Sequence, residues 1–253
     1  GESPLPAIAV YEAVRPEHWH YVTYGLSELF EKTSEDPAIS GFGFELTMRV
    51  PRAAGEAEPP SWPLRALQGL GRYVLGTRSG LDTGHCADLG GSIAPGIESA
   101  LTCLACVPDP LLRKIATPFG ALLFLQVVGI TRDELEAMQR LDHEGVVHLL
   151  GELDFHGLTD PSRGSYFADP RKAPVLRRYQ LGVLLETMGV RVGITRHYTM
   201  RGASARTTRT VDVQCTLPGS CAENYRLTGT TEAPDVSVNP LSVLTPGMFR
   251  EIF

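Results

Sequence analysis

The sequence predicts an α+β protein: a mixed, largely antiparallel β-sheet with packed helices, followed by a β-rich C-terminal appendage. Two patterns predict this class. Over residues 41–50, apolar side chains alternate strictly with small or polar ones, which is the period of a strand with one buried face. Over residues 62–77, leucine and valine recur at three- and four-residue steps, which indicates a helix with one buried stripe.

Strand patterns recur along the first half of the chain. Aromatic and β-branched residues crowd 18–24, and Gly25 ends that strand. The run 121–129 is almost entirely apolar, so we expect an internal strand covered on both faces. The remaining strands are predicted over 7–11, as an edge, over 41–50 and over 100–107.

The helices are predicted from their end signals. Ser61 can cap a helix over 62–77. Thr131 and Glu134 have the spacing of a capping box, which opens a helix through Leu141, and a second helix is predicted over 143–153. Further helices are predicted over 26–32 and 174–188.

The character of the chain changes near residue 190. Residues 4–189 combine strand and helix patterns and form the predicted main domain. Residues 190–253 contain alternating β-branched residues, more arginine than acid and no lysine. We expect this tail to be a β-hairpin or small antiparallel appendage with a loose end.

Composition excludes several classes of partner. With 43% hydrophobic and 21% charged residues, the chain is typical of a soluble globular protein. A formal charge of −6 argues against a nucleic-acid surface, and no apolar run approaches the ~18 residues of a membrane span. Five cysteines without a visible secretory signal indicate reduced thiols in the cytoplasm, with a Cys215–Cys221 bridge as the alternative.

Histidines give the main candidate for metal chemistry. His18 and His20 are two apart on a predicted strand, so they project from one face and could hold half of a zinc site. His85, together with Asp88, could complete that site and make the chain a metal-dependent hydrolase. The alternative is structural, with both imidazoles hydrogen-bonded to a loop.

No other catalytic motif is present. Cys103 and Cys106 have the spacing of a redox pair, but on a strand they point to opposite faces, so we expect buried structural cysteines. The sequence contains no Gly-x-Ser-x-Gly elbow, P-loop or His-Glu-x-x-His motif. It therefore predicts a binding module without a cofactor rather than an enzyme.

Four ordered blocks carry a family resemblance over roughly residues 4–186. They read HWHYVTYGLSELF, SGFGFELTMRV, PSWP leading into LQGLGRYV, and TPFG leading into FLQVVG. In order and spacing, the chain resembles the Suppressor of fused family, both its compact bacterial members and the N-terminal domain of its animal members.

The resemblance implies a non-enzymatic protein that captures a protein partner stoichiometrically. Animal members bind an extended peptide by strand addition in a cleft between two domains, and some bacterial members are proposed to be immunity proteins that neutralise toxins. Matched onto this sequence, Tyr73 would line the cleft, and Leu81 takes the place of an aromatic residue. His85 and Pro108 stand where animal members carry acids that grip the peptide.

We therefore place the partner surface at Tyr73 and the glycine-rich loop over residues 79–91, and expect a protein or extended peptide there. Irregular, glycine-rich backbone is common in binding loops, and a half-exposed tyrosine offers a large contact with a polar tip. The alternative for Tyr73 is a core contact at the end of its helix, beside Val74. The loop residues predicted to contact the partner are Leu81, His85 and Asp88.

Overall fold

A computed structural model describes residues 3–28, 30–112, 114–187, 191–199, 208–216 and 223–230, and beyond residue 180 it describes the backbone alone. The strands are β1 (Ala7–Val14), β2 (Glu17–Tyr24), β3 (Ile39–Pro51), β4 (Cys86–Asp88), β5 (Cys103–Pro108), β6 (Ile115–Thr117), β7 (Gly120–Ile130), β8 (Arg191–Thr199), β9 (Thr208–Thr216) and β10 (Glu223–Thr230). The helices are α1 (Trp62–Thr77), α2 (Arg132–Met138), α3 (His143–Leu153) and α4 (Ala173–Thr187), with a 3-10 turn at Tyr166–Ala168.

Seven strands form one mixed sheet. Its order is β1-β2-β3-β7-β5-β4, with β6 paired to β7. β3 and β7 run parallel, and the other neighbouring pairs are antiparallel. A parallel pair needs a long connection, which the chain supplies by running through α1, β4, β5 and β6 between the two strands. The predicted α+β class with a mixed, largely antiparallel sheet is confirmed.

Helix α1 covers one face of the sheet. Its buried residues Leu67 and Val74 pack into one cluster with the apolar side of β3. Full burial of a side chain of this size is worth about 1.5–3 kcal/mol, so this layer is a main source of stability. The apolar side of β3 consists of Phe44, Leu46, Met48 and Val50.

The opposite face of the sheet is buried as well, so the expectation of one buried face on β3 was wrong. Glu45, Thr47 and Arg49 project from this side of β3 and are at most 1% exposed. The segment after α3 lies along β3, where the N–H of Thr159 donates to the carbonyl of Arg49 at 2.8 Å. Buried polar groups of this kind need hydrogen-bond partners inside the protein. The polar residues of the alternating pattern therefore face a second buried layer instead of solvent.

The carboxylate of Glu45 explains why the helix predicted over 26–32 does not form. Its Oε1 accepts hydrogen bonds from the N–H groups of Gly25, Leu26 and Ser27 at 2.9, 3.1 and 2.8 Å. Because these N–H groups converge on one carboxylate, the described residues of the segment form bends instead of a helix. The prediction of a helix there was wrong.

The other helices agree with the sequence, with two differences. The two helices predicted between 131 and 153 are α2 and α3, but α2 ends at Met138 instead of Leu141. Asp142 caps α3 by accepting from the N–H of Gly145 at 2.7 Å. Ser61 does not cap α1 through its side chain. Its hydroxyl instead accepts a hydrogen bond from Nη1 of Arg65 at 3.2 Å.

The chain divides into two compact units, Gly1–Leu176 and Arg177–Phe253. In the second unit, β8, β9 and β10 form an antiparallel sheet in the order β10-β9-β8. The Cys215–Cys221 alternative lies outside the described residues. Among the helices that the structure describes, none is both long enough and apolar enough to cross a membrane.

Replacing Glu45 by alanine is expected to lower the free energy of unfolding by about 3 kcal/mol or more, because three backbone N–H groups, two of them buried, lose a charged acceptor. Glu45→Gln is expected to be milder, since an amide oxygen can still accept these bonds. Chemical denaturation measures both changes. Glu31→Ala, at an exposed position of the same segment, is the control and should change stability by less than about 0.5 kcal/mol. A loss below about 1 kcal/mol in Glu45→Ala would contradict this account.

Candidate functional site

A groove opens between α1 and the glycine-rich loop that follows it. Its volume is about 700 Å³, and its apolar lining includes Met48, Ile93 and Leu104. All of its lining residues belong to the first compact unit. The residues predicted to contact a partner all line this groove: Tyr73, Leu81, His85 and Asp88.

Tyr73 lies on the groove side of α1 and is 51% exposed. The next residue, Val74, is fully buried in the cluster beneath α1 and supplies the core contact. The two neighbours differ because successive residues of an α-helix are rotated by about 100°. The side chain of Tyr73 is therefore exposed on the groove rather than enclosed in the core.

His85 is held on the groove wall by its own loop. Its Nδ1 accepts a hydrogen bond from the N–H of Asp82 at 3.1 Å, and its ring packs edge-on against His143 of α3 with centroids 5.2 Å apart. Gly84, at φ +81°, permits this approach, because a Cβ there would lie 2.4 Å from Cα of His143. The loop is thus anchored at Gly84, and His85 has a defined position.

The loop also contains β4, a strand that the sequence did not predict. The carbonyl of residue 85 accepts a hydrogen bond of 2.8 Å from an N–H of β5, and the N–H of residue 89 donates one of 3.0 Å to the carbonyl just before β5. Because peptide groups alternate in direction along an antiparallel strand, those of Cys86 and Asp88 point away from β5. Within the described chain, no residue hydrogen-bonds to these outward groups. The groove therefore includes a free strand edge.

The carboxylate of Asp88 is already engaged. It accepts from the N–H of Gly90 at 2.9 Å and from Nη2 of Arg132 at 2.6 Å. These contacts, with the Gly90 bond the largest, hold the pKa of Asp88 below its ordinary value. Asp88 therefore brings a paired carboxylate to the groove.

The two metal candidates on β2 lie on the polar face of the sheet, away from the groove that contains His85. His18 and His20 share one face, as predicted, with ring centroids 6.1 Å apart. Nδ1 of His18 donates to the carbonyl of Pro16 at 2.7 Å, and Nε2 of His20 donates to Asp109 at 3.1 Å. Both imidazoles thus form hydrogen bonds to connecting segments, which agrees with the structural role given above as the alternative to a zinc site.

Metal ligation finds no support in the part of the chain that the structure describes. No group of three or more histidine, cysteine, aspartate or glutamate side chains there could hold a metal ion. Cys86, Cys103 and Cys106 are free thiols. Burial raises the pKa of Cys106 to about 12 and that of Cys86 to about 11, so both stay protonated and unreactive at neutral pH.

Asp109 is the centre of a buried polar cluster. Its Oδ1 accepts from Nη2 of Arg49 at 2.5 Å, and its Oδ2 accepts from the hydroxyl of Thr47 at 2.9 Å and from His20. Nη1 of Arg49 donates to the carbonyl of His156 at 3.3 Å. Burial opposes ionisation of Asp109, but the bond from His20, the backbone N–H groups and the charge of Arg49 together lower its pKa well below the ordinary value.

Comparison with known proteins identifies the family. The family model described as Suppressor of fused protein (SUFU) matches residues 1–164. The chain belongs to the Suppressor of fused family. The resemblance carried by the four sequence blocks is therefore confirmed, and family members are known as protein-binding regulators rather than enzymes.

Relatives in this family align with between about two thirds and four fifths of this chain. The Suppressor of fused homologs of Homo sapiens and Mus musculus are each 36% identical to it over 180 residues, which is 65% of this chain and 37% of theirs. The chain thus spans little more than a third of the length of these relatives. In the crystal structure of the Sufu–Fu complex, the matching chain is 32% identical with a TM-score of 0.61, over 68% of this chain and 82% of that one. Drosophila Suppressor of Fused is 29% identical with a TM-score of 0.63, over 80% and 52%.

Sequence reasoning missed the polar cluster of this Suppressor of fused domain. The alternation of β3 placed Arg49 on a face that was expected to be open, and nothing singled out Asp109 or His156. The available signal was a strand with two charged residues, Glu45 and Arg49, among otherwise apolar or small neighbours. The partners of Arg49 are far away in sequence: Asp109 is 60 residues from Arg49, and His156 is 107 residues from it.

The stability of this domain is expected to fall in two steps on acidification. Burial lowers the pKa of His18 below 6.5, and the charge of Arg49 adds to this, although the bond to Pro16 opposes it. The unfolded chain therefore binds a proton at His18 more readily, and stability is lost as the pH falls below 6.5 towards the folded pKa. Asp109 adds a second loss below 3.8, because its folded pKa also lies lower.

Denaturant unfolding at a series of pH values tests the first step. His18→Asn keeps a donor for the carbonyl of Pro16 but does not titrate, so it should remove the loss that begins below pH 6.5. The loss in the wild-type chain should approach about 1.4 kcal/mol for each pKa unit of depression. Equal pH profiles for the two proteins would show that His18 is not the titrating group.

Proposed function

We propose that this chain captures an extended segment of a protein partner, stoichiometrically and without turnover, in the groove beside α1. The observation that carries the proposal is the free edge of β4, which lines the same groove as the half-exposed Tyr73. A strand edge offers main-chain hydrogen bonds, and neighbouring pockets take alternate side chains. This combination is typical of recognition by strand addition.

The residues around the edge fit an extended ligand. The peptide groups of Cys86 and Asp88 provide donors and acceptors for one added strand. Leu81 and Ile93 offer apolar contacts on the same groove, and Tyr73 adds an aromatic surface with a polar tip. Aromatic residues of this kind often contribute strongly to binding energy.

A binding function also agrees with the family. Suppressor of fused members are protein-interaction regulators, and one solved relative is a complex, Sufu with Fu. The biological setting of this chain, a signalling regulator or an immunity protein that neutralises a toxin, depends on which partner occupies the groove. The proposed mechanism is the same in both settings, because capture blocks the bound segment from other interactions.

Affinity capture from the source cell, followed by titration of the purified partner, tests the proposal. We expect a complex with 1:1 stoichiometry, formed by a short segment of the partner and unaccompanied by chemical change in it. Deletion of that segment should abolish the complex. A partner that is chemically altered in repeated turnovers, or that binds with the groove blocked by a cross-link, would contradict the proposal.

Tyr73→Ala is expected to weaken partner binding by about 1–3 kcal/mol, the usual range for an aromatic anchor. The thermal midpoint should remain nearly unchanged, because the core contact of α1 is made by Val74. Tyr11→Ala is a matched control, since Tyr11 is also 51% exposed but lies on β1 at the other edge of the sheet. A large drop in the midpoint of Tyr73→Ala, or equal binding losses in both variants, would place the partner elsewhere.

A further inference from the structure

We propose that the groove selects an acidic segment, one whose carboxylates meet His85 and Arg65. The inference rests on the proposed function, because it names the chemistry of the ligand that the groove would capture. It follows from three observations: the hydrogen-bond state of His85, the position of Arg65, and the pairing of Asp88.

His85 presents a hydrogen-bond donor. Its Nδ1 faces the N–H of Asp82, which can only donate, so Nδ1 must accept. A neutral imidazole that accepts at Nδ1 carries its hydrogen on Nε2. No described residue accepts a hydrogen bond from this Nε2. Nε2 of His85 can therefore donate to a carboxylate or carbonyl oxygen of a ligand in the groove.

Arg65 supplies a cation that lacks an acidic partner among the described residues. Its guanidinium donates to the carbonyl of Pro95 at 2.9 Å and to the hydroxyl of Ser61 at 3.2 Å, both neutral groups. The side chain is exposed and lines the groove. Arginine binds carboxylates through two parallel hydrogen bonds, so an acid from a ligand is its natural complement.

Asp88 does not oppose this preference. Among the described residues that line the groove it is the one acid, and Arg132 pairs with it at 2.6 Å. The pair is partly exposed, so its mutual attraction is modest, but the opposite charges lie next to each other and largely cancel at a distance. The unpaired charge on the groove wall is therefore that of Arg65.

The length of α1 between Arg65 and Tyr73 fits an extended chain. Arg65 is tied to Pro95, Tyr73 lines the same groove further along α1, and His85 lies in the loop that follows α1. The eight residues from Arg65 to Tyr73 advance α1 by about 12 Å. An extended chain covers this distance in about four residues, and residues four apart on a strand share a face. The favoured ligand thus places an acidic residue at Arg65, about four positions from the residue that contacts Tyr73, and a second acidic residue at His85.

Selection of a random nine-residue phage library against the full chain tests the inference. We expect Tyr73-dependent clones with glutamate or aspartate enriched at two positions. A selected peptide, made synthetically, should bind about tenfold more weakly when both acids are replaced by their amides. Arg65→Glu and His85→Asp should each shift the selected residues from acidic to basic or neutral.

Two variants act as controls. Arg72→Glu makes the same charge change on α1 at an exposed position outside the groove, so it should leave the acidic preference intact. His85→Gln keeps an N–H donor in the place of Nε2 and should retain the preference that His85→Asp loses. Thermal midpoints confirm that each variant is folded, and Arg65→Glu tests the inference even where a His85 variant is not.

The outcomes separate the inference from the proposed function. Clones that depend on Tyr73 but show no acidic excess, or a basic one, would overturn the inference and leave peptide capture standing. Failure to select any Tyr73-dependent clone would overturn both. An acidic excess that Arg72→Glu reduces as much as Arg65→Glu would also overturn the inference, because it would reflect overall charge instead of the groove.

Discussion

Glu45, Thr47 and Arg49 project from one side of β3 into a buried layer, where their polar groups depend on partners within the protein. Glu45 accepts hydrogen bonds from the N–H groups that follow β2, and Arg49 forms an ion pair with Asp109 just beyond β5. Replacing such an ion pair by apolar residues can be neutral, but removing one partner typically costs about 3–5 kcal/mol, since it leaves an unpaired buried charge. This constraint connects segments that are otherwise distant in the chain, and it fixes where the connections after β2 and β5 can run.

The groove on the other face depends on the same arrangement. Asp109 is held by Arg49 where β5 ends, and β5 in turn pairs with β4, the strand that lines the groove. Met48, on the opposite side of β3 from Arg49, contributes to the groove lining. One strand therefore carries a polar anchor on one side and part of the groove lining on the other. On such a scaffold, the proposed binding surface needs little rearrangement to receive a ligand, which limits the entropy lost on binding.

Local patterns predicted the elements whose determinants are local. The leucine spacing of α1 and the alternation of β3 required no knowledge of the rest of the chain, and both are observed. The helix prediction for the segment after Gly25 failed because the N–H groups of this segment are bound by Glu45. Glu45 comes almost 20 residues later, and a local window of helix propensity does not include it. β4 is only three residues long, too short to produce a periodic pattern. Tyr73, Leu81 and His85 came from the family resemblance and Asp88 from the glycine-rich loop, whereas the hydrogen-bond state of His85 required the three-dimensional structure.

The order of strands in the sheet has a consequence for how the chain reaches its folded state. β1, β2 and β3 are neighbours in sequence and in space, and β4 pairs with β5, but the two groups are joined by β7, which is synthesised after all of them. Until β7 emerges, β3 and β5 are both open edges with unpaired peptide groups, and such edges are prone to pair with other chains. The last strand of the sheet is also one of its central strands, so closure involves contacts of long sequence separation, which slow folding. The nascent chain is therefore most exposed to aggregation in the interval between the synthesis of β3 and that of β7.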